Sequence, residues 1–111
     1  MEFKTILDIS ELEEIIEKNN SLLLYFSTLS CAVGEALEPK IINLLKTDFP
    51  KIPFYFVDIN ACPDISAKHS VFVEPTVLVF FEGKETIRKS RNISLFELSE
   101  AIARIYKILY Y

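Results

Sequence analysis

Two sulfur atoms are the most reactive groups in this sequence of 111 residues. Cys31 lies in the run Ser30-Cys31-Ala32-Val33-Gly34, between an apolar stretch and an amphipathic one, and Cys62 follows a second apolar stretch. A thiolate attacks disulfides, and how readily it does so depends on its acidity and its access to solvent. A cysteine where a helix begins meets unpaired backbone amides and the positive end of the dipole, both of which favour the thiolate. The lone His69 has no second metal ligand or nucleophile near it in sequence, so no metal site is expected. Two cysteines are also too few for a disulfide scaffold.

The elements that must carry these groups can be read from periodicity and punctuation. Phe3 to Ile6 reads as a short edge strand, and the Ser10/Glu13 spacing predicts a capped helix with Leu12, Ile15 and Ile16 on one face. Leu22 to Phe26 is apolar throughout, as a central strand covered on both faces would be. Leu37, Ile41, Leu44 and Leu45 line a helix over about 32–47, with Pro39 inside it and a kink expected there. Pro53 opens a third central strand, Phe54 to Val57, and Pro63 to His69 reads as a short helix. Thr76 to Phe81 and Glu85 to Ser90 form a hairpin through Glu82-Gly83-Lys84. Ser94 and Glu97 then cap a closing helix faced by Leu98, Ala101, Ile102, Ile105 and Leu109. Alternation ending in a hairpin predicts a mixed five-stranded sheet with four helices, an α/β sandwich in one domain over 1–111.

Composition narrows the partners. The net charge is -4 with both signs interspersed, and no basic stripe suits a phosphate backbone, so nucleic acid is excluded. No apolar run approaches the roughly 20 residues of a membrane span, and the polar N-terminus does not read as a secretory signal. A cytoplasmic protein is the expectation. The aromatic C-terminus, Tyr106, Tyr110 and Tyr111, is open to two uses, packing the last helix or forming an interface.

The element order, with Pro39 eight residues after Cys31 and Pro75 forty-four after it, resembles the thioredoxin family over essentially the whole chain. Val57-Asp58 and Phe81-Glu82-Gly83 match the family pattern as well. The resemblance implies a three-layer thioredoxin-like fold, a cis bond between Glu74 and Pro75, and a substrate that pairs as an added strand beside that turn. It also marks departures. Gly34 stands where the resolving cysteine would be, Ser30 where tryptophan is usual, Tyr25 where a buried carboxylate is expected, and Glu74 where an apolar residue or threonine is common.

By this resemblance the site comprises Cys31 as the reactive group, with Ser30, Ala32, Val33, Gly34, Glu74 and Pro75 contacting substrate. Glu35 and Glu74 near the sulfur would raise its pKa against the helix dipole. Cys62, on the same edge of the sheet, is a candidate auxiliary thiol. A direct bond to Cys31 would need Cα atoms about 4.4–6.8 Å apart, and a partly buried capping role is the plainer expectation. No cofactor is implied. The function implied is monothiol exchange or mixed-disulfide formation with protein or low-molecular-weight thiols and disulfides. The alternative is a redox-inactive module that holds a protein partner, and cluster binding is disfavoured because the glycine-phenylalanine-serine loop of single-cysteine glutaredoxins is missing. The partner and the oligomeric state are left open.

Overall fold

Successive side chains of a strand point to opposite faces, so an apolar residue at every position from Leu22 to Phe26 requires cover on both sides. In the computed structural model this run forms the middle of β2 (Ser21–Ser27), and all five residues are fully buried. The structure describes residues 4–28 and 32–111, and for residues 32–36 the backbone alone. Around β2 stand β1 (Lys4–Thr5), α1 (Ile9–Lys18), α2 (Ala32–Asp48), β3 (Phe54–Asp58), α3 (Pro63–Lys68), β4 (Thr76–Phe81), β5 (Lys84–Ser90) and α4 (Leu95–Tyr110).

The sheet order is β1-β3-β2-β4-β5. β3 runs parallel to both β1 and β2, β4 runs antiparallel to β2, and β5 antiparallel to β4. Leu23 and Tyr25 face a core shared with Ile41 and Leu45 of α2 and Leu98 and Ile102 of α4. Leu22, Leu24 and Phe26 face a second core with Leu12 of α1 and Ile65 of α3. The result is the mixed five-stranded sheet with two helices on each face that the element order predicts.

Local signals explain most boundaries. Ser94 accepts a hydrogen bond from the Glu97 N–H at 3.2 Å and starts α4, as its spacing predicts. The first helix differs: Asp8, not Ser10, is its cap. The Asp8 carboxylate accepts from the Glu11 N–H at 2.8 Å, while Glu11 accepts from the Leu7 N–H at 2.8 Å. Asp8 and Glu11 repeat the cap spacing two residues earlier, and aspartate caps as well as serine. The first strand is also shorter than expected. Phe3 lies outside the described residues, but Ile6 extends the pairing by donating its N–H to the Phe56 carbonyl at 2.9 Å. The helix runs on through Pro39, which is exposed.

The C-terminal tyrosines fasten α4 to the far end of the sheet. Tyr106 is buried edge-on against Phe49 at 5.1 Å between ring centres, and its hydroxyl accepts the Lys51 N–H at 3.2 Å. The Tyr110 hydroxyl lies 2.7 Å from the Ser21 hydroxyl, with the Lys51 ammonium 4.9 Å from its ring centre. Packing is thus the role of these two rings, whereas Tyr111 is largely exposed.

Tyr106→Ala should lower the unfolding free energy by about 3–5 kcal/mol, the cost of removing a buried aromatic ring. Tyr106→Phe keeps the ring and leaves the Lys51 N–H without its partner, which should cost about 1 kcal/mol. Urea unfolding followed by circular dichroism measures both, and equal losses would mean that the hydroxyl, not the ring, secures the helix.

Candidate functional site

Parallel pairing brings the C-terminal ends of β2 and β3 to one edge of the sheet, with Ser27 opposite Asp58 and the Ile59 N–H donating to the Ser27 carbonyl at 2.9 Å. Because β4 is antiparallel to β2, its first residue arrives at that same edge, Thr76 opposite Phe26. The turn before β4 therefore stands beside the point where β2 leads toward α2. The Glu74–Pro75 peptide bond is cis. Two hydrogen bonds hold the turn: the Thr76 hydroxyl donates to the Val73 carbonyl at 2.6 Å, and the Arg91 N–H donates to the Pro75 carbonyl at 2.9 Å. Pro75 is buried and Glu74 exposed, and among the described residues the Glu74 N–H and C=O have no hydrogen-bond partner. Phe72, two residues upstream, is 80% exposed.

The predicted residues divide unevenly over this edge. Ser30 and Cys31 lie outside the described residues, and Ala32, Val33 and Gly34 are seen only as the backbone of the first turn of α2. Glu74 and Pro75 form the turn just described. Cys62 caps α3 and is buried in the core beneath α1 and α3. Its Sγ lies 3.6 Å and 3.5 Å from the carbonyls of Ile6 and Leu7, on the side of β3 away from β2. Burial, followed by the nearby Asp64 and Asp58 carboxylates, pushes its thiol pKa up. A buried thiol with a raised pKa is a poor nucleophile.

Other polar candidates have structural employment. Asp58 is half-buried and accepts from the N–H groups of Asn60 and Ala61 at 2.9 and 3.3 Å, which shapes the turn into α3. Tyr25, at the position of the expected carboxylate, is fully buried with Phe54 and Phe56 stacked or tilted against its ring. His69 is the C-cap of α3, edge-on to Phe80 at 5.8 Å. Burial is the first cause lowering its pKa, and the neighbouring Lys68 ammonium adds to it. Among the described residues no cluster of three or more His, Cys, Asp or Glu side chains could hold a metal ion, and no helix is long and apolar enough to cross a membrane.

Arg91 and Thr76 are site residues that sequence reasoning passed over. The bond from the Arg91 N–H to the Pro75 carbonyl continues the β4–β5 hairpin one residue beyond the Thr76–Ser90 pair, so the hairpin register brings Arg91 to the turn.

The thioredoxin family model matches residues 4–104, which include every strand and most of α4. The chain belongs to the thioredoxin family. Its curated relatives include the thioredoxin-like protein YdfQ of Bacillus subtilis, 25% identical over 97 residues, covering 87% of this chain and 86% of the relative. Thioredoxin-1 of Saccharomyces cerevisiae is 28% identical over 87 residues, covering 78% and 81%. Among solved structures, the X-ray structure of Fasciola hepatica thioredoxin superposes with a TM-score of 0.81 at 28% identity, covering 92% of this chain and 98% of that one. This thioredoxin-family chain has the mixed five-stranded sheet and a cis Glu74–Pro75 turn at the edge where β2 leads toward α2.

Two predictions follow from the buried groups. In a Cys31→Ser variant, iodoacetamide should label Cys62 about tenfold or more slowly in the folded chain than in urea, since access requires opening of the core. Equal rates would mean that the sulfur is not enclosed. His69 is the only histidine in the chain, and a folded pKa below the unfolded value means that the unfolded chain binds the extra proton first. Stability contributed by neutral His69 is present above about pH 6.5 and is lost as pH falls toward the lower folded value. The decline in unfolding free energy between about pH 7.5 and 5.5 should therefore be shallower in His69→Gln, and an unchanged slope would assign the decline to other groups.

Proposed function

We propose that this thioredoxin-family chain is a redox protein working with one thiol, Cys31, which forms mixed disulfides by exchange with protein or low-molecular-weight disulfides held beside the Glu74–Pro75 turn. The observation that carries the reading is the pairing of Phe26 with Thr76. It brings the turn, with its unpaired Glu74 backbone groups, to the edge from which the chain proceeds to Cys31. An extended segment could add to that backbone as a strand does. The substrate contacts would come from Ser30, Ala32, Val33 and Gly34 on one side and from Glu74 and Pro75 on the other.

In the first step the Cys31 thiolate attacks one sulfur of a substrate disulfide. A bond forms between Cys31 and that sulfur, the substrate S–S bond breaks, and the departing thiolate takes a proton from solvent. Gly34 supplies no second sulfur. Release therefore needs an external thiol, which attacks the mixed disulfide, leaves as a disulfide with the substrate, and returns Cys31 to the thiol. Cys62 does not serve as a resolving group, given its enclosure on the far side of β3. The whole chain acts as one domain in a reducing compartment such as the cytoplasm, where such thiols are abundant.

A second reading, a redox-inactive module that grips a protein segment at the same turn, is favoured by Phe72. Its ring is 80% exposed beside the turn and would serve a held partner whether or not sulfur reacts.

Incubation with oxidised glutathione followed by intact-mass measurement tests the first reading. Wild type should gain a single glutathione, Cys31→Ser none, and Gly34→Cys should lose the adduct by closing an internal disulfide. No adduct on wild type would leave the binding module standing, and an adduct that persists in Cys31→Ser would move the chemistry to Cys62.

A further inference from the structure

Among the described residues, three other than glycine hold left-handed backbones: Ser70 at φ 55, Glu82 at φ 54 and Arg91 at φ 63. Two have local reasons. Ser70 closes α3, donating its N–H to the Ala67 carbonyl at 3.1 Å, and left-handed residues commonly end helices. Glu82 shares the β4–β5 hairpin turn with Gly83 at φ 80, and a two-residue turn of type I′ has positive φ at both central positions. Arg91 follows β5 and lies against the Pro75 turn through its N–H bond to that carbonyl. A branched or long side chain in this backbone region is costly where glycine is not. Backbone strain beside a candidate site is a reason to ask what the residue does there.

The charges around Arg91 indicate an answer. Among the described residues neither the Arg91 guanidinium nor the Glu74 carboxylate makes an ion pair or side-chain hydrogen bond, although the two residues flank the same Pro75 carbonyl and carry opposite charge. Arg88, three residues earlier, is by contrast fully engaged by Glu85 and by the carbonyls of His69 and Ser70. Both residues are exposed, Glu74 within the turn and Arg91 bonded to it through its backbone. An extended peptide spaces alternate side chains by about 7 Å on one face, so a single segment can present one residue to each charge.

We propose that Glu74 and Arg91 form a split charge clamp that selects an extended polypeptide of mixed charge, with a basic residue toward Glu74 and an acidic residue toward Arg91. The inference rests on the proposed reading for the segment's position along the turn. It goes beyond that reading in naming the substrate's charge pattern and a specificity residue, Arg91. Hydrogen bonds to the Glu74 backbone would set the register, and the two charges would decide which sequences are accepted.

Fluorescence anisotropy on the full chain carrying Cys31→Ser tests the clamp with labelled ten-residue peptides that differ at two alternate positions: Lys and Asp, Lys and Lys, Asp and Asp, or Gln and Asn. The Lys and Asp peptide should bind more tightly than the neutral one by about two- to fivefold per charge at low salt, with the advantage shrinking as salt is added. Glu74→Lys should transfer the preference at the first position to Asp. Arg91→Gly should raise the urea midpoint, because the backbone cost is removed, while abolishing the preference for Asp at the second position. Equal binding of all four peptides, or discrimination that survives Arg91→Gly, would overturn the clamp. A neutral cystine peptide offered to wild type separates the two ideas. Coupling to Cys31 without charge selectivity overturns the clamp alone, whereas charge selectivity without any Cys31 adduct overturns the mixed-disulfide reading and supports the clamp.

Discussion

The arrangement of this molecule depends on the burial of β2 from both sides. With Leu22 through Phe26 fully enclosed, the strand cannot lie at an edge, and it must have a helical layer on each face. A slip of one residue would move Tyr25 into the layer of Leu24 and Phe26 and expose every pairing to mismatch. Held in this way, β2 takes a parallel neighbour on one side and an antiparallel neighbour on the other. That change of direction brings the end of β2, the end of β3 and the beginning of β4 together at one edge. The proline turn is beside the route to α2 because of strand polarity, and no contact between their side chains is needed to explain it.

The same geometry accounts for the enclosure of Cys62. Cys62 leaves β3 and turns toward the carbonyls after β1, so its side chain fills the core under α1 and α3. Enclosure and the surrounding carboxylates both disfavour its thiolate. A resolving thiol must be ionised and accessible, and burial with a raised pKa counts against Cys62 in that role. In the proposed cycle this leaves resolution to a thiol from solution, which makes the lifetime of the mixed disulfide a property of the surroundings more than of the protein.

Much of the fold could be read from the sequence because its signals are local. Five strands and four helices follow from apolar runs, two punctuating prolines and the Ser94 cap, and each depends on residues within a few positions of one another. The start of α1 was misread for an equally local reason. Asp8/Glu11 and Ser10/Glu13 have the same spacing, and only the bonds from the Glu11 N–H to Asp8 and from the Leu7 N–H to Glu11 distinguish them. The site was less legible. Pro75 could be placed by its distance from Cys31, but the bond from Arg91 to Pro75 depends on the exact register of the β4–β5 hairpin, which an irregularity at Val79/Phe80 shifts and the turn residues alone do not fix. The employment of Asp58 in its turn and of His69 at a helix end likewise depends on backbone groups that a sequence does not display.

Arg91 also bears on how an acidic protein can receive an acidic segment. A net charge of -4 repels such a segment on average, yet screening confines the field of an exposed charge to about 8 Å at physiological salt. Within that range the nearest charges dominate over the total. A guanidinium on one side of Pro75 and a carboxylate on the other would therefore create a local dipole that the overall charge does not cancel. Placing the two charges apart also preserves them, since a closed Glu74–Arg91 ion pair would present little field to a partner. In the proposed clamp, the backbone bond from Arg91 to Pro75 keeps this residue at the turn, and no ion pair to Glu74 closes it. Strain at this position and selectivity at the groove would then be two consequences of one residue.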